Sequence, residues 1–190
     1  MKTLVQLSGA VAGVMVILVG SMLPAGFLFP SLGNPLQIFD LPSTWQAPSL
    51  MLTALLCGPR TAVIAAIAYL TIGIFFLPIF QNGGSINYLN DPSFGYLMGF
   101  IPAAWITGKL AKQNGMNNLI LLTFSAMVGI IVMQAFGVIN LIFGTLLNKW
   151  GIPLPQMLFS YTIAPIIGQI ILCPAIGILA FSLRGLLFIE

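Results

Sequence analysis

Few side chains in this sequence are able to bind or transform another molecule, and most of those are uncharged. Histidine is absent, which removes imidazole metal ligands, Ser-His and Cys-His catalytic pairs and histidine proton relays. The side-chain carboxylates are Asp40, Asp91 and Glu190, and no shared spacing pairs them as an acid and a base. Cys57 and Cys173 each sit in an apolar run without a Cys two or three residues away, the setting of buried thiols rather than of a redox pair. No G-x-x-x-x-G-K-[ST] phosphate loop occurs, so the chain is not expected to hydrolyse ATP itself. The expectation is a protein that is not an enzyme and holds no metal or cofactor. Amides, hydroxyls and backbone groups are left to do the chemistry.

These polar groups recur at helical spacing. At about 100° per residue, Gly137, Asn140, Gly144 and Asn148 fall within about 80° of one another, and Gln134 widens the arc to about 120°. Tyr161, Pro165, Gly168 and Gln169 form a second arc of about 100°. Amides in hydrocarbon turn inward to find partners, so both arcs are expected to face protein. Asn140 either lines a substrate cavity or joins helices, and Gln169 is partnered by a ligand or by Asn140. The Gln81-Asn82-Gly83-Gly84-Ser85 turn is either a plain loop or one whose amides and N–H groups close over a polar ligand such as a cyclic urea. Asp91 before Pro92 reads as a helix N-cap with proline at the first helical position. Gly9, Gly13, Val16 and Gly20 lie within about 60° and invite close approach of another helix, from this chain or from a partner.

A lipid bilayer is the medium in which these groups are held. Of the 190 residues 59% are strongly apolar and 5% are charged, against about a quarter charged in soluble domains. Apolar runs between Pro, Gly, Asn and Asp clusters give spans near 4–23, 47–57, 61–80, 93–110, 118–148 and 156–183. The second is shorter than the roughly 20 residues a crossing needs. It is kept because Gly58 and Pro59 turn the chain abruptly after it, and the segment from Pro42 to Pro48 is expected to continue the crossing as irregular chain shielded by protein. The fold class is an all-α integral membrane protein, six transmembrane helices in one bundle, with residues 1–190 as a single membrane-embedded domain in the cell membrane. Both termini are expected in the cytoplasm. Lys2, Arg60, Lys109, Lys112 and Arg184 then share the inner side, with Asp40, Asp91 and Lys149 outside. A five-span count without the second run would put Lys109 and Lys112 opposite Lys2. The first run is full length and lacks an Ala-x-Ala site, so it reads as retained rather than cleaved. The six basic residues are scattered and form no patch for nucleic acid.

Two longer outer connections follow from this topology, 24–46 and 81–92. Both are rich in aromatic, amide and glycine residues and read as lids, which adds Trp45 and Tyr88 to the candidate substrate-contacting residues. Lys149, beside Trp150, is the one basic residue placed outside. It either snorkels to the headgroups or pairs with an anionic ligand.

The middle of the chain carries a family resemblance. Ser43-Thr44-Trp45-Gln46-Ala47-Pro48, Ala54-Leu55-Leu56-Cys57-Gly58-Pro59-Arg60, Phe76-Leu77-Pro78-Ile79-Phe80 with Gly83-Gly84, and Asp91-Pro92-Ser93-Phe94-Gly95-Tyr96-Leu97-Met98-Gly99-Phe100 resemble the BioY family, the biotin-specific S components of energy-coupling-factor transporters. The resemblance covers residues 43–110 well and the rest mainly by hydropathy. It implies a six-helix subunit whose pocket opens outward and binds biotin as transported ligand, with a transmembrane coupling subunit and two ATPase subunits as partners. It also implies that Gln46, Asn82, Gly83 and Gly84 meet the ligand and that Gly9, Gly13 and Gly20 form the docking face. One departure stands out. The family's last helix usually reads Pro-Gly-Asp with a Lys three residues after the Asp, where this chain has Pro165, Ile166 and Ile167, then Ile170. The polar contact then falls to Gln169, or the ligand is bound more weakly, or it is another small vitamin. A non-transporting structural or assembly subunit is the competing reading.

Overall fold

The computed structural model describes residues 2–29, 37–80, 83, 86–113 and 118–187, so the candidates Asn82 and Gly84 lie outside the described residues. Helices α1 (Lys2–Met22), α2 (Gln46–Cys57) and α3 (Pro59–Phe75) come first. Next are α4 (Phe94–Met98) and α5 (Phe100–Leu110), which run on through Gly99: its N–H donates to Gly95 at 3.1 Å and its carbonyl accepts from Ala103 at 3.0 Å. Helix α6 (Leu119–Leu146) starts where the Asn118 side chain accepts the Ile120 N–H at 2.9 Å, an N-cap for an otherwise orphaned donor. The last series joins α7 (Leu154–Leu158), a π turn (Phe159–Ile163) and α8 (Ala164–Leu187). Among the described residues the helices therefore fall into six series that follow the six apolar runs. Three of these, Thr3–Met22, Leu119–Leu146 and Leu154–Leu186, are long and apolar enough to cross a membrane by length and composition.

The structure departs from the sequence reading in several places. The third run is helical only to Phe75, where the Phe76 and Leu77 N–H groups both turn back to the Ile72 carbonyl at 2.9 Å. Pro78 disfavours helix at the residue before it, so the chain leaves the helix and extends to Phe80. The segment from Pro42 to Pro48, expected as irregular chain, is strand to Thr44 and helix from Gln46. Strands β1 (Pro24–Phe29) and β2 (Gln37–Thr44) pair antiparallel from Pro24↔Thr44 to Phe29↔Gln37, with an irregularity between Pro24 and Gly26. Pairing satisfies the backbone of a segment that Pro and Gly keep out of helix. Asp91 does not cap a helix at Pro92. Its Oδ1 accepts the Ser93 N–H at 2.8 Å and the Ser93 hydroxyl at 2.5 Å, a local turn, and the helix begins at Phe94. Asn148 ends α6 rather than extending the polar arc. It takes φ 50°, and Asn148 and Lys149 donate back to Thr145 and Gly144 at 3.0 and 2.9 Å, a left-handed helix terminator.

The interior is built on small residues that let helices approach closely. Ala62, Ala65 and Ala66 of α3 and Ala103 and Ala104 of α5 are fully buried, with Leu50, Met51, Leu55 and Tyr69 between the helices. The outward faces are apolar: Leu4, Met22, Ile120 and Leu147 are each more than 70% exposed, a pattern suited to hydrocarbon and not to water.

The helical series join two chemically different ends. Arg60, Lys109, Lys112 and Arg184 gather where α2 and α5 end, α3 begins and α8 finishes. Gly58 packs against the Lys112 side chain, and the Arg184 guanidinium donates to the Leu55 and Ala111 carbonyls. The start of α2, the segment after α3, the start of α4 and the start of the last series meet at the opposite end.

Candidate functional site

A cavity of about 380 Å³ lies at that opposite end, within the range of small-molecule sites. Its wall is assembled from Pro42, Ser43 and Thr44 at the end of β2 and from Gln46 and Ala47 at the start of α2. Phe80, Tyr88, Ser93, Tyr96, Leu97 and Phe100 close one side, Met133 and Gln134 of α6 the next, and Ser160, Tyr161, Pro165 and Gln169 the last. The π turn over Phe159–Ile163 is where the last helix adjusts to Pro165, which has no N–H to return to the Tyr161 carbonyl. That adjustment brings Ser160 and Tyr161 to the wall.

The polar groups are fixed by one another. Gln46 Nε2 donates to Tyr69 Oη at 2.8 Å, and Tyr69 Oη donates to the Ile79 carbonyl at 3.3 Å. Tyr69 is fully buried and packs against Phe80 and Phe100, with ring centroids at 5.7 and 6.3 Å, while Phe80 lies 4.7 Å from Tyr88. The result is an aromatic wall with an amide at its edge. Tyr88 Oη and Ser93 Oγ are 2.6 Å apart, and Ser93 bonds in turn to Asp91. Burial pushes the Tyr88 phenol above its usual range, with the Ser93 hydrogen bond acting the other way and the Asp91 charge adding a further rise. The phenol stays protonated at neutral pH. Deeper in the bundle, Gln134 Nε2 donates to Gln169 Oε1 at 2.8 Å. Gln134 Oε1 and Ser43 Oγ are buried without a hydrogen-bond partner among the described residues. Gly168 makes the approach of β2 possible, because a Cβ there would sit 2.7 Å from Ser43 Oγ.

Of the sequence candidates, Gln46, Tyr88, Tyr161 and Gln169 meet in this wall. Gly83 stands next to it: at φ 102°, it exchanges two backbone hydrogen bonds of 2.9 Å with Phe80. Trp45 packs with Ala25, Leu41 and Leu172 behind the wall. Asn140 is away from the cavity and donates to the Pro92 carbonyl at 3.1 Å, joining α6 to the start of α4. Lys149 is exposed, with Nζ 3.4 Å from the Leu89 carbonyl and 5.9 Å from the Trp150 ring. The small face of α1 is turned into this same chain. Gly9 packs on Cys57 and Thr61, Gly13 on Thr53 and Ala65, and Gly20 on Ser49 and the Trp45 carbonyl. α2 and α3 therefore occupy the face that the resemblance assigned to docking. Tyr69, Ser43 and Tyr96 were missed by the sequence reading. Tyr96 lay inside a motif that the resemblance quoted, while Tyr69 sits in an alanine-rich apolar run without polar periodicity.

A family model described as the BioY family matches residues 2–187. The chain belongs to the BioY family. Among relatives of this BioY-family chain, an uncharacterised 21.2 kDa protein of Cyanophora paradoxa is 31% identical over 76% of this chain and 74% of its own length. A probable biotin transporter BioY of Lysinibacillus sphaericus is 37% identical over 38% of this chain and 37% of its length. The biotin transporter BioY of Rhizobium etli is 30% identical over 54% of this chain and 59% of its length. The chain thus spans between about a third and three fifths of these two named transporters. In fold it matches the crystal structure of the S-component for biotin from an ECF-type ABC transporter, with a TM-score of 0.73 and 21% identity, covering 97% of this chain and 93% of that one. Family and apolar helices together make the BioY-family chain an integral membrane protein.

Proposed function

We propose that this chain is the substrate-binding membrane subunit of a biotin uptake transporter. It captures biotin on the outer side of the cell membrane and delivers it with an ATP-driven coupling module. The observation that carries this reading is the opposition of the two ends: a partly open, polar-and-aromatic cavity at one, and Arg60, Lys109, Lys112 and Arg184 at the other. Basic residues favour the cytoplasmic side, so the cavity faces outward, as capture from outside requires. In this reading residues 1–190 form one membrane-embedded unit of six spans with both termini in the cytoplasm. The sequence holds no phosphate loop, so ATP is hydrolysed by separate subunits, two ATPases acting through a transmembrane coupling protein. The chain itself performs no covalent chemistry, and biotin is cargo rather than cofactor.

Binding uses an aromatic wall for the ligand's apolar surface, with Gln46, Tyr88, Tyr161 and Gln169 as polar contacts. Asn82 and Gly84, which lie outside the described residues, are further ligand contacts on the strength of the family resemblance. The test is retention of labelled biotin by the purified chain in detergent, with excess unlabelled biotin as competitor. Saturable, competed retention is expected. A purified, folded chain that retains no label refutes the reading and favours a structural subunit.

A further inference from the structure

Among the described residues, the cavity wall carries no charged side chain. Asp91 stands one hydrogen bond behind it, through Ser93 and Tyr88. Lys149 is exposed and bonded to the Leu89 carbonyl, outside the lining. The segments 30–36, 81–82 and 84–85, next in sequence to elements of the wall, contain no Asp, Glu, Lys or Arg. Arg60, Lys109, Lys112 and Arg184 are at the other end of the bundle. An anionic group taken into this wall would lose its water without gaining a cation, and with a carboxylate behind the Ser93–Tyr88 pair, which is unfavourable twice over.

Two wall atoms show what is welcome instead. Gln134 is 4% exposed, and its Nε2 is committed to Gln169, so its Oε1 is held in place as a buried acceptor with no donor. Ser43, 8% exposed, presents a hydroxyl that is likewise unpaired. Buried polar atoms left without partners are rare in folded proteins because each loses its hydration for nothing. A ligand that brings an N–H to Gln134 and an acceptor to Ser43 removes both losses. An uncharged cyclic urea has this donor and acceptor set on one edge.

We propose that the cavity recognises its ligand through uncharged groups alone, with Gln134 Oε1 accepting an N–H of the ligand's buried end and no side chain of the wall pairing with a carboxylate. This rests on the vitamin-binding reading above and specifies which part of the ligand is buried. A carboxylate on the same molecule stays at the mouth, in water.

The experiment compares biotin, its neutral carboxamide and a biotin methylated on a ring nitrogen as competitors for labelled biotin on the purified 190-residue chain, and measures the direct binding of each. Biotin and its carboxamide should bind within about threefold of each other, and the ring-methylated compound about tenfold or more weakly. In Gln134→Met the penalty for ring methylation should largely vanish. The ligand comparisons on the unaltered chain stand even if that variant misfolds. Biotin bound more than about tenfold tighter than its carboxamide overturns the inference and leaves the biotin reading intact. Carboxamide bound without biotin upholds the inference and overturns the biotin reading. Equal binding of the ring-methylated compound overturns the role of Gln134. Binding of none of the three overturns both.

Discussion

Arg184→Met should destabilise the bundle more than its place near the chain end suggests, because the guanidinium completes two helices that cannot complete themselves. In α2 the Leu55 carbonyl would take its helical hydrogen bond from residue 59, but that residue is Pro59 and has no N–H, and Gly58 at φ 80° has already broken the helix. Arg184 supplies the donors, Nε at 3.1 Å and Nη2 at 2.6 Å. The same Nη2 lies 2.9 Å from the carbonyl of Ala111, which caps the end of α5. Two buried carbonyls left unpaired cost roughly 1–3 kcal/mol each, and removing a cation from two helix C-termini adds about 0.3–1 each. Relief from desolvating a guanidinium that is 7% exposed works in the opposite direction. A net loss of about 2–4 kcal/mol is expected, or roughly 4–16 °C in Tm for a chain of this size. Thermal unfolding in detergent, followed by tryptophan fluorescence, measures it. Arg184→Lys keeps the charge but cannot fork between two carbonyls, so it should fall between the two. Biotin affinity of the folded Met variant should be unchanged, since the cavity is at the other end. A Tm within about 1 °C of the parent, or a Lys variant as unstable as the Met variant, would refute the capping argument.

Gln46→Ala should weaken biotin by about 0.5–1.5 kcal/mol and also lower stability by about 0.5–1.5 kcal/mol through loss of the bond to Tyr69, by equilibrium binding and thermal melts side by side. Asn140→Leu should lower stability alone, by about 1 kcal/mol through loss of the bond to the Pro92 carbonyl; a fall in affinity with stability intact would return Asn140 to the ligand. Gly13→Leu should cost about 1–3 kcal/mol or prevent folding, because even a Cβ there would lie 3.1 Å from that of Ala65. If that variant folds normally and loses only its partners, the face serves docking after all. Affinity should be flat from about pH 5.5 to 8.5, since the titratable groups in the wall are phenols and Tyr88 is held above its usual range. A midpoint inside that window would show that a charged group outside the wall contributes.

Apolar run length made the six helical series legible, because that signal is set by the bilayer and owes little to tertiary detail. The polar arcs were legible only in part. Gln134 and Gln169 face each other as inward-turning amides should, but Asn140, on the same stripe, sits six residues on from Gln134, where its neighbour is the start of α4 rather than the cavity. A stripe specifies a direction and leaves depth open. The hairpin of β1 and β2 was invisible because Pro24, Gly26 and Pro42 weaken any strand pattern, and long-range pairing decides the segment. Tyr69 and Arg184 were missed as anchors for a related reason. Their partners are backbone carbonyls and a single amide far away in sequence, and no local spacing encodes those. The glycines of α1 announced a close helix contact correctly, while which helix makes it, α2 and α3 of the same chain, was a property of the fold.

The two ends of the bundle differ in how they are held, and the difference bears on access. At the basic end one buried guanidinium ties α2, α5 and α8 together through backbone acceptors, so opening it breaks several bonds at once. At the cavity end the segment Ile86–Asn90 is anchored by Tyr88, which is buried against Phe80 and bonded to Ser93, while its other side-chain bonds, Lys149 to the Leu89 carbonyl and Trp150 to the Asn90 carbonyl, are exposed. Segments with few buried contacts and solvent-exposed hydrogen bonds open at lower free energy than the core. A ligand entering beside Lys149 and Trp150 therefore displaces two exposed, separable bonds while the buried bonds of the opposite end hold. That asymmetry is what a capture site needs, because the same bundle must admit its ligand from one side and be impermeable from the other.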